Sequence, residues 1–236
     1  MVVGNYFTDI SGSAIQIGDV DNPNTGDVRD IPQNNQILNN YIQNIAVEYK
    51  GGIGIWVGYT QSTMISHNEI SNVPYTAVSL GWGWGDPDPT IAKDNKVQFN
   101  LIYNHVNFMR DGGGIYTLGA QPGSAITGNV IKDQVNINGA IYLDNHARYY
   151  EVNNNVLFNN EMTALFKGGD HYIHDNHWQD RYLNDIWWFN DADTCRPTAC
   201  GPNTITNNKI INSISEAPAS IVNNAGLESA YQDIRQ

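Results

Sequence analysis

The stretch DGGGIYTLG, residues 111–119, sets a carboxylate, three glycines and a tyrosine in immediate succession. A second carboxylate, Asp144, follows a tyrosine in GAIYLDN, with Asn145, His146 and Arg148 just beyond it and Lys167, Asp170 and His171 one repeat further on. Carboxylates beside tyrosines and tryptophans are the materials of a glycan cleft, because flat rings suit the apolar faces of sugars. Glycosidic cleavage takes two acids, about 5–5.5 Å apart for retention of configuration and about 6.5–9.5 Å for inversion. One of the two must be protonated near neutral pH, which burial or a like charge nearby supplies. In such a cleft Asp111 is the rim acid, the glycines admit the sugar and Tyr116 and Tyr142 hold it. The structural alternative is that Asp111 caps a glycine-rich turn and Asp144 binds turn amides, the tyrosines packing against a loop.

The elements that must position these residues show in a repeat. The pattern apolar-x-x-Asn-x-apolar recurs as VVGNYF, ILNNYI, ISHNEI, VQFNLI, ITGNVI, VNNNVL, IHDNHW and ITNNKI, with Asn5, Asn40, Asn68, Asn100, Asn129, Asn155, Asn176 and Asn208. Self-similarity at this period marks a solenoid. A second pattern follows each hit as AIQIG, GIWVG, AVSLG, GIYTL, AIYLD, ALFKG, DIWWF and SIVNN, whose period-2 alternation is that of a half-buried strand. Each repeat thus carries at least two short strands, and stacking the repeats predicts an all-β, right-handed parallel β-helix of about eight coils, one domain over residues 1–236. Each coil's Asn is placed to bond the Asn of the next. His67, His105, His174 and His177 fall in or near these strands and read as structural.

In the second strand the third position faces outward, giving a stripe of Gln16, Trp56, Ser79, Tyr116, Tyr142, Phe166, Trp187 and Val222. Exposed aromatic rows mark binding surfaces, and Trp82 and Trp84 of GWGWG flank the same edge. The longest insertions, 19–33, 81–94 and 190–202, belong to the turns, where solenoids collect binding loops. In this register Asp111 and Asp144 sit at opposite ends of their strands, about 20 Å apart along a straight strand. Glu161, two coils on from Asp111 in the same register, stands at about 9.6 Å.

Composition excludes several classes. A net charge of −12 with only 15% charged residues argues against nucleic acid and against anionic membrane surfaces. No apolar run approaches the roughly 20 residues of a membrane helix, and no signal-peptide pattern stands at the start. Asparagine outnumbers lysine plus arginine 32 to 12, and asparagine favours turns over helix interiors. Cys195 and Cys200 read as a loop disulfide, since a lone pair is a poor zinc site. No cofactor is expected for the chemistry, with Ca²⁺ on the acidic loop as the alternative. Asp19, Asp21, Asn24 and Asp27 are oxygen donors of the kind Ca²⁺ takes, without the spacing of an EF-hand.

Several phrases together carry a family resemblance: RDIPQNNQILNNYI (29–42), GGIGIWVGYTQSTMISHNEISNVPYTAVSLGWGWG (51–85), DGGGIYTLGAQPGS (111–124), GAIYLDN (139–145) and AGLESAYQDI (225–234). The chain resembles the parallel β-helix proteins of glycoside hydrolase family 141, which includes α-L-fucosidase and xylanase activities on plant cell-wall glycans. The resemblance implies a catalytic pair of aspartates in consecutive coils, which fall by motif on Asp111 and Asp144. It also implies a further N-terminal region preceding these coils in relatives. Many relatives carry an acid after YLD, where this chain has Asn145.

These readings converge on a glycoside hydrolase acting without a cofactor on extracellular polysaccharide of xylan or fucosylated-pectin type, as a monomer or small oligomer. Asp111, Asp144 and Glu161 are the candidate acids. Trp56, Trp82, Trp84, Tyr116, Tyr142, Lys167, Asp170 and His171 are the candidate sugar contacts. A polysaccharide lyase is the alternative chemistry, with Lys167 or His171 beside the acids, although a lyase wants a more positive groove. A non-catalytic carbohydrate-binding β-helix is the alternative without chemistry.

Overall fold

The computed structural model describes residues 1–84, 89–180, 186–189 and 200–235. Cys195, most of the 190–202 insertion and residues 85–88 lie outside the described residues. Cys200 is disulfide-bonded.

Strands of two to four residues stack into three parallel sheets, two of eight strands and one of seven, and successive coils are neighbours in every sheet. This is a parallel β-helix. A coil contributes three strands, within the expected two or more, because the Asn motif spans a corner; among the described residues only the last, with Thr204–Thr206 and Lys209–Ile210, has two. Tyr41–Gln43 follows Gln36–Leu38 across Asn39 and Asn40, and the same break recurs in each coil. The residue before each ladder Asn is left-handed. Gly4, Asn39, His67, Phe99, Gly128, Asn154, Asp175 and Asn207 have φ between 53° and 68°. A left-handed non-glycine residue costs roughly 1–2 kcal/mol, so the corner must be held from outside itself.

The asparagines hold it. From Asn5 through Asn40, Asn68, Asn100, Asn129, Asn155 and Asn176 to Asn208, each side-chain Nδ2 donates to the next Oδ1 at 2.9–3.0 Å. The same Oδ1 accepts the backbone N–H of the preceding ladder residue at 3.0–3.1 Å. From Asn40 to Asn176 these residues are fully buried, and their satisfied amides complete the backbone bonding that the bend interrupts.

Inside, aliphatic side chains stack in files. Ile37, Ile65, Val97, Ile126, Val152 and Ile173 pair in register in the first sheet. Ile42, Ile70, Ile102, Ile131, Leu157 and Trp178 do so in the second. All are buried, each contributing about 1.5–3 kcal/mol through burial. Residues 214–225 fold back outside the second sheet. Ile214, Ile221, Val222 and Ala225 pack with Leu101, Val130, Val156 and Phe158. Arg235 then reaches Glu69 (2.7 Å) and Glu228 reaches Asn39 (2.8 Å). Val222 thus belongs to a short helix, Ala219–Val222, and not to the outward stripe.

The third sheet carries the candidate site. Its middle strand positions, Gln16, Trp56, Ser79, Tyr116, Tyr142 and Leu165, form one outward row, and Trp187 pairs with Leu165 in the register. Leu165 occupies the place expected for Phe166, which is fully buried in the core. A one-residue slip of a strand exchanges its two faces, and the larger ring fills the interior. The side chain of Trp187 lies outside the described residues.

Candidate active site

The outward row is not an open aromatic wall. Tyr116 and Tyr142 are 8% and 2% exposed, and with Leu118, Leu165 and Met162 they form a small apolar cluster on the outside of the sheet. Their rings meet edge to face at 5.1 Å. What they offer a ligand is their hydroxyls.

Those hydroxyls bring the two aspartates together. Tyr116 donates to Asp144 Oδ2 at 2.7 Å, and Tyr142 contacts Asp111 Oδ1 at 3.4 Å. Asp144 and Asp111 both act on the Tyr142 hydroxyl, and both charges reach Tyr75. The straight-strand separation therefore misleads. Asp111 sits in a left-handed bend at φ 61°, and long tyrosine side chains bridge the width of the sheet between the acids. Burial, reinforced by the Asp144 charge, pushes both hydroxyls far above the ordinary phenol range, so they remain donors.

The two acids differ in setting. Asp144 is 5% exposed. Its Oδ1 receives Lys167 Nζ at 2.6 Å and its Oδ2 receives Tyr116. A carboxylate with donors on both oxygens is serving as an acceptor only, the role of an ionised group. Lys167 ends the strand Ala164–Lys167, lies 5.4 Å from the centre of the Tyr142 ring and reaches Asn145 Oδ1 at 3.4 Å. Asp111 is exposed at the rim, and its backbone carbonyl accepts Tyr75 Oη–H at 2.7 Å.

The glycines after Asp111 do not admit a ligand. Gly112, Gly113 and Gly114 are buried. A Cβ at Gly112 would lie 2.4 Å from Thr76 Oγ1, one at Gly113 2.6 Å from the Gly139 carbonyl, and one at Gly114 2.6 Å from Ile131 Cγ2. They let neighbouring coils approach, which fixes Asp111 relative to Tyr75 and Tyr142.

Tryptophans supply the adjoining surface. Trp56 and Trp82 meet edge-on at 6.2 Å, and Trp82 and Trp84 at 4.3 Å. Trp84 is 44% exposed and stands beside the Tyr116 hydroxyl. This row therefore leads from solvent to Asp144.

Two expected contacts and one candidate acid fall elsewhere. His171 is 1% exposed, receives the Tyr150 N–H on Nδ1 and faces the Lys167 carbonyl through Nε2. Burial lowers its pKa to about 4, so it is a neutral core group that meets no substrate. Asp170 is engaged by Arg148 Nε and Nη2 at 2.8 and 2.6 Å, bracing the next turn. Glu161 lines a separate hollow with Arg110, and Asp144, not Glu161, converges with Asp111 on Tyr142. Of the acidic loop, Asp19 caps its own turn through Asp21 and Asn22, and Asp27 pairs with Arg29. Among the described residues no group of three or more His, Cys, Asp or Glu is placed to hold a metal. Tyr75 was not legible beforehand: one tyrosine in SNVPYTAVSL carries no motif, and only the stacking register places it beside Gly112.

No family model matches the chain, and no curated protein matches it. Among solved structures one superposes over 98% of this chain with a TM-score of 0.68 and 28% identity. The chain resembles a solved glycoside hydrolase. It spans about a third of that protein, 35% of its length. An alginate lyase from Paenibacillus sp. str. FPU-7 superposes with a TM-score of 0.55 at 14% identity, over 88% of this chain and 86% of the lyase, a likeness of fold.

Proposed function

We propose that this β-helix is a glycoside hydrolase, cleaving plant cell-wall polysaccharide of xylan or fucosylated-pectin type outside the cell. The observation that carries the reading is the convergence of Asp111 and Asp144 on the Tyr142 hydroxyl, beside Lys167 and an open tryptophan row. The likeness to a glycoside hydrolase supports it.

Asp144, buried and bonded on both oxygens, acts as the carboxylate that directs water or attacks the anomeric carbon. Asp111, at the rim, gives its proton to the departing glycosidic oxygen. If Asp144 directs water, the proton it takes from that water passes through solvent back to Asp111; if Asp144 attacks carbon, Asp111 takes a proton from the water that then opens the glycosyl–enzyme bond, so either route restores the acid. Tyr116 and Tyr142 remain protonated and so orient rather than abstract. A lyase base on either tyrosine would need a hydroxyl that ionises readily, whereas burial and the two carboxylates oppose ionisation.

The test is digestion of a panel of xylans and fucosylated pectic glycans, with release of reducing ends as the readout. Wild type is expected to release them, and Asp111→Asn to lower kcat at least about a hundredfold on unactivated glycans. Ultraviolet-absorbing unsaturated products would make the protein a lyase. Retardation by a glycan with no product from any substrate would leave a binding module. Trp84→Ala is expected to raise KM about five- to tenfold through loss of ring contact at the entrance. An unchanged KM would remove Trp84 from the substrate path.

A further inference from the structure

The corner before the third sheet holds a hollow of ≈ 220 Å³ lined by Arg110, Val135, Asn136, Ile137 and Glu161. Two of its residues neighbour the candidate site along the chain. Arg110 directly precedes Asp111, and Glu161 directly precedes Met162, which packs on the Tyr116–Tyr142 cluster. Beside the site the other cations are committed, Lys167 to Asp144 and Arg148 to Asp170. Arg110 is exposed, and among the described residues its guanidinium has no ion pair, in a chain of net charge −12.

The loop that carries it is fixed. Asn136 Nδ2 donates to the Val106 and Met109 carbonyls at 2.9 and 3.1 Å, tying residues 106–109 to the next coil. Val135 and Ile137, 52% and 49% exposed, give the hollow an apolar side. A cation on a braced loop, beside apolar surface and a carboxylate, selects a ligand with an anionic group, an apolar face and hydroxyls.

We propose that this hollow is a subsite for a uronosyl residue next to the cleaved bond. Arg110 forms a planar two-point pair with the sugar carboxylate, Val135 and Ile137 take the apolar face of the ring, and Glu161 accepts from sugar hydroxyls. The proposal rests on the glycan reading of Asp111 and Asp144, and it names an acidic sugar as part of the substrate.

Binding tests it independently of turnover. Calorimetric titration would use the full chain with a glucuronosyl-substituted xylo-oligosaccharide, an oligogalacturonide and the carboxyl-reduced form of each. Wild type is expected to prefer at least one acidic ligand over its reduced twin by about tenfold or more. That preference should shrink with added salt and fall to near unity in Arg110→Gln, with circular dichroism confirming that the variant is folded. Equal binding of both acidic ligands and their twins, binding of none, or a preference that survives in Arg110→Gln would overturn the subsite. Failure of the hydrolase reading would show separately, as absence of reducing ends while the acidic preference stands.

Discussion

Asp144→Asn is expected to abolish turnover, lowering kcat by about a thousandfold or more while glycan binding persists. The substitution keeps the size of the side chain and removes its charge. Asp144 receives Lys167 on one oxygen and Tyr116 on the other, and an amide presents only one acceptor to those two donors. The loss is therefore twofold: the group that attacks or directs water is gone, and the Lys167 and Tyr116 side chains lose the partner that fixes them. Two-carboxylate cleavage leaves no bypass for the missing group on an unactivated glycan. Initial rates from reducing-end release, set against retardation of the same glycan, check both halves. A variant retaining more than a tenth of wild-type activity would place the chemistry elsewhere.

The largest effect on stability is expected at Asn100→Ala, about 3–5 kcal/mol. Asn100 Nδ2 donates to the Ile65 and Gln98 carbonyls and to Asn129 Oδ1, while its own Oδ1 receives the Asn68 N–H and Nδ2. Alanine leaves several of these buried groups without partners, at about 1–3 kcal/mol each. It also removes the brace from the left-handed Phe99 corner. Urea unfolding with matched slopes measures the loss. Asn5→Ala supplies the contrast, because Asn5 is exposed at the first coil and, among the described residues, its side chain bonds only Asn40 and Val3; a loss below about 1 kcal/mol is expected there. Equal losses at the two positions would mean that burial of the ladder does not set its worth.

The frame was legible because a parallel β-helix repeats its physics. One buried amide per coil and one alternating strand per coil leave marks at a steady interval, and these predicted the stacking of Asn5 through Asn208. Three features were not legible. The corner inside the Asn motif turns on single left-handed residues of many types, from Gly4 to Phe99, which no residue preference announces. The slip that sends Phe166 inward depends on how many residues the preceding turn absorbs. The back-folded segment containing Val222 resembles a strand by composition and is placed instead by its packing on Leu101, Val130 and Val156.

The same division runs through the site. Asp111, Asp144, Tyr116 and Tyr142 stood out as residue types at matching places in successive repeats, and the structure joins them. His171 and Asp170 shared that neighbourhood in sequence but turn away, one into the core and one to Arg148. Side-chain direction, not proximity along the chain, separates the groups. The role of Lys167 depends on a single 2.6 Å contact that crosses coils.

The central claim is that water cleaves a glycosidic bond between Asp111 and Asp144. Digestion of the active glycan in heavy-oxygen water, followed by mass spectrometry of the products, tests it most directly. One solvent oxygen is expected in each new reducing end from the wild type, and no such product from Asp144→Asn. Unsaturated products without solvent oxygen, or equal labelling by the two proteins, would contradict it.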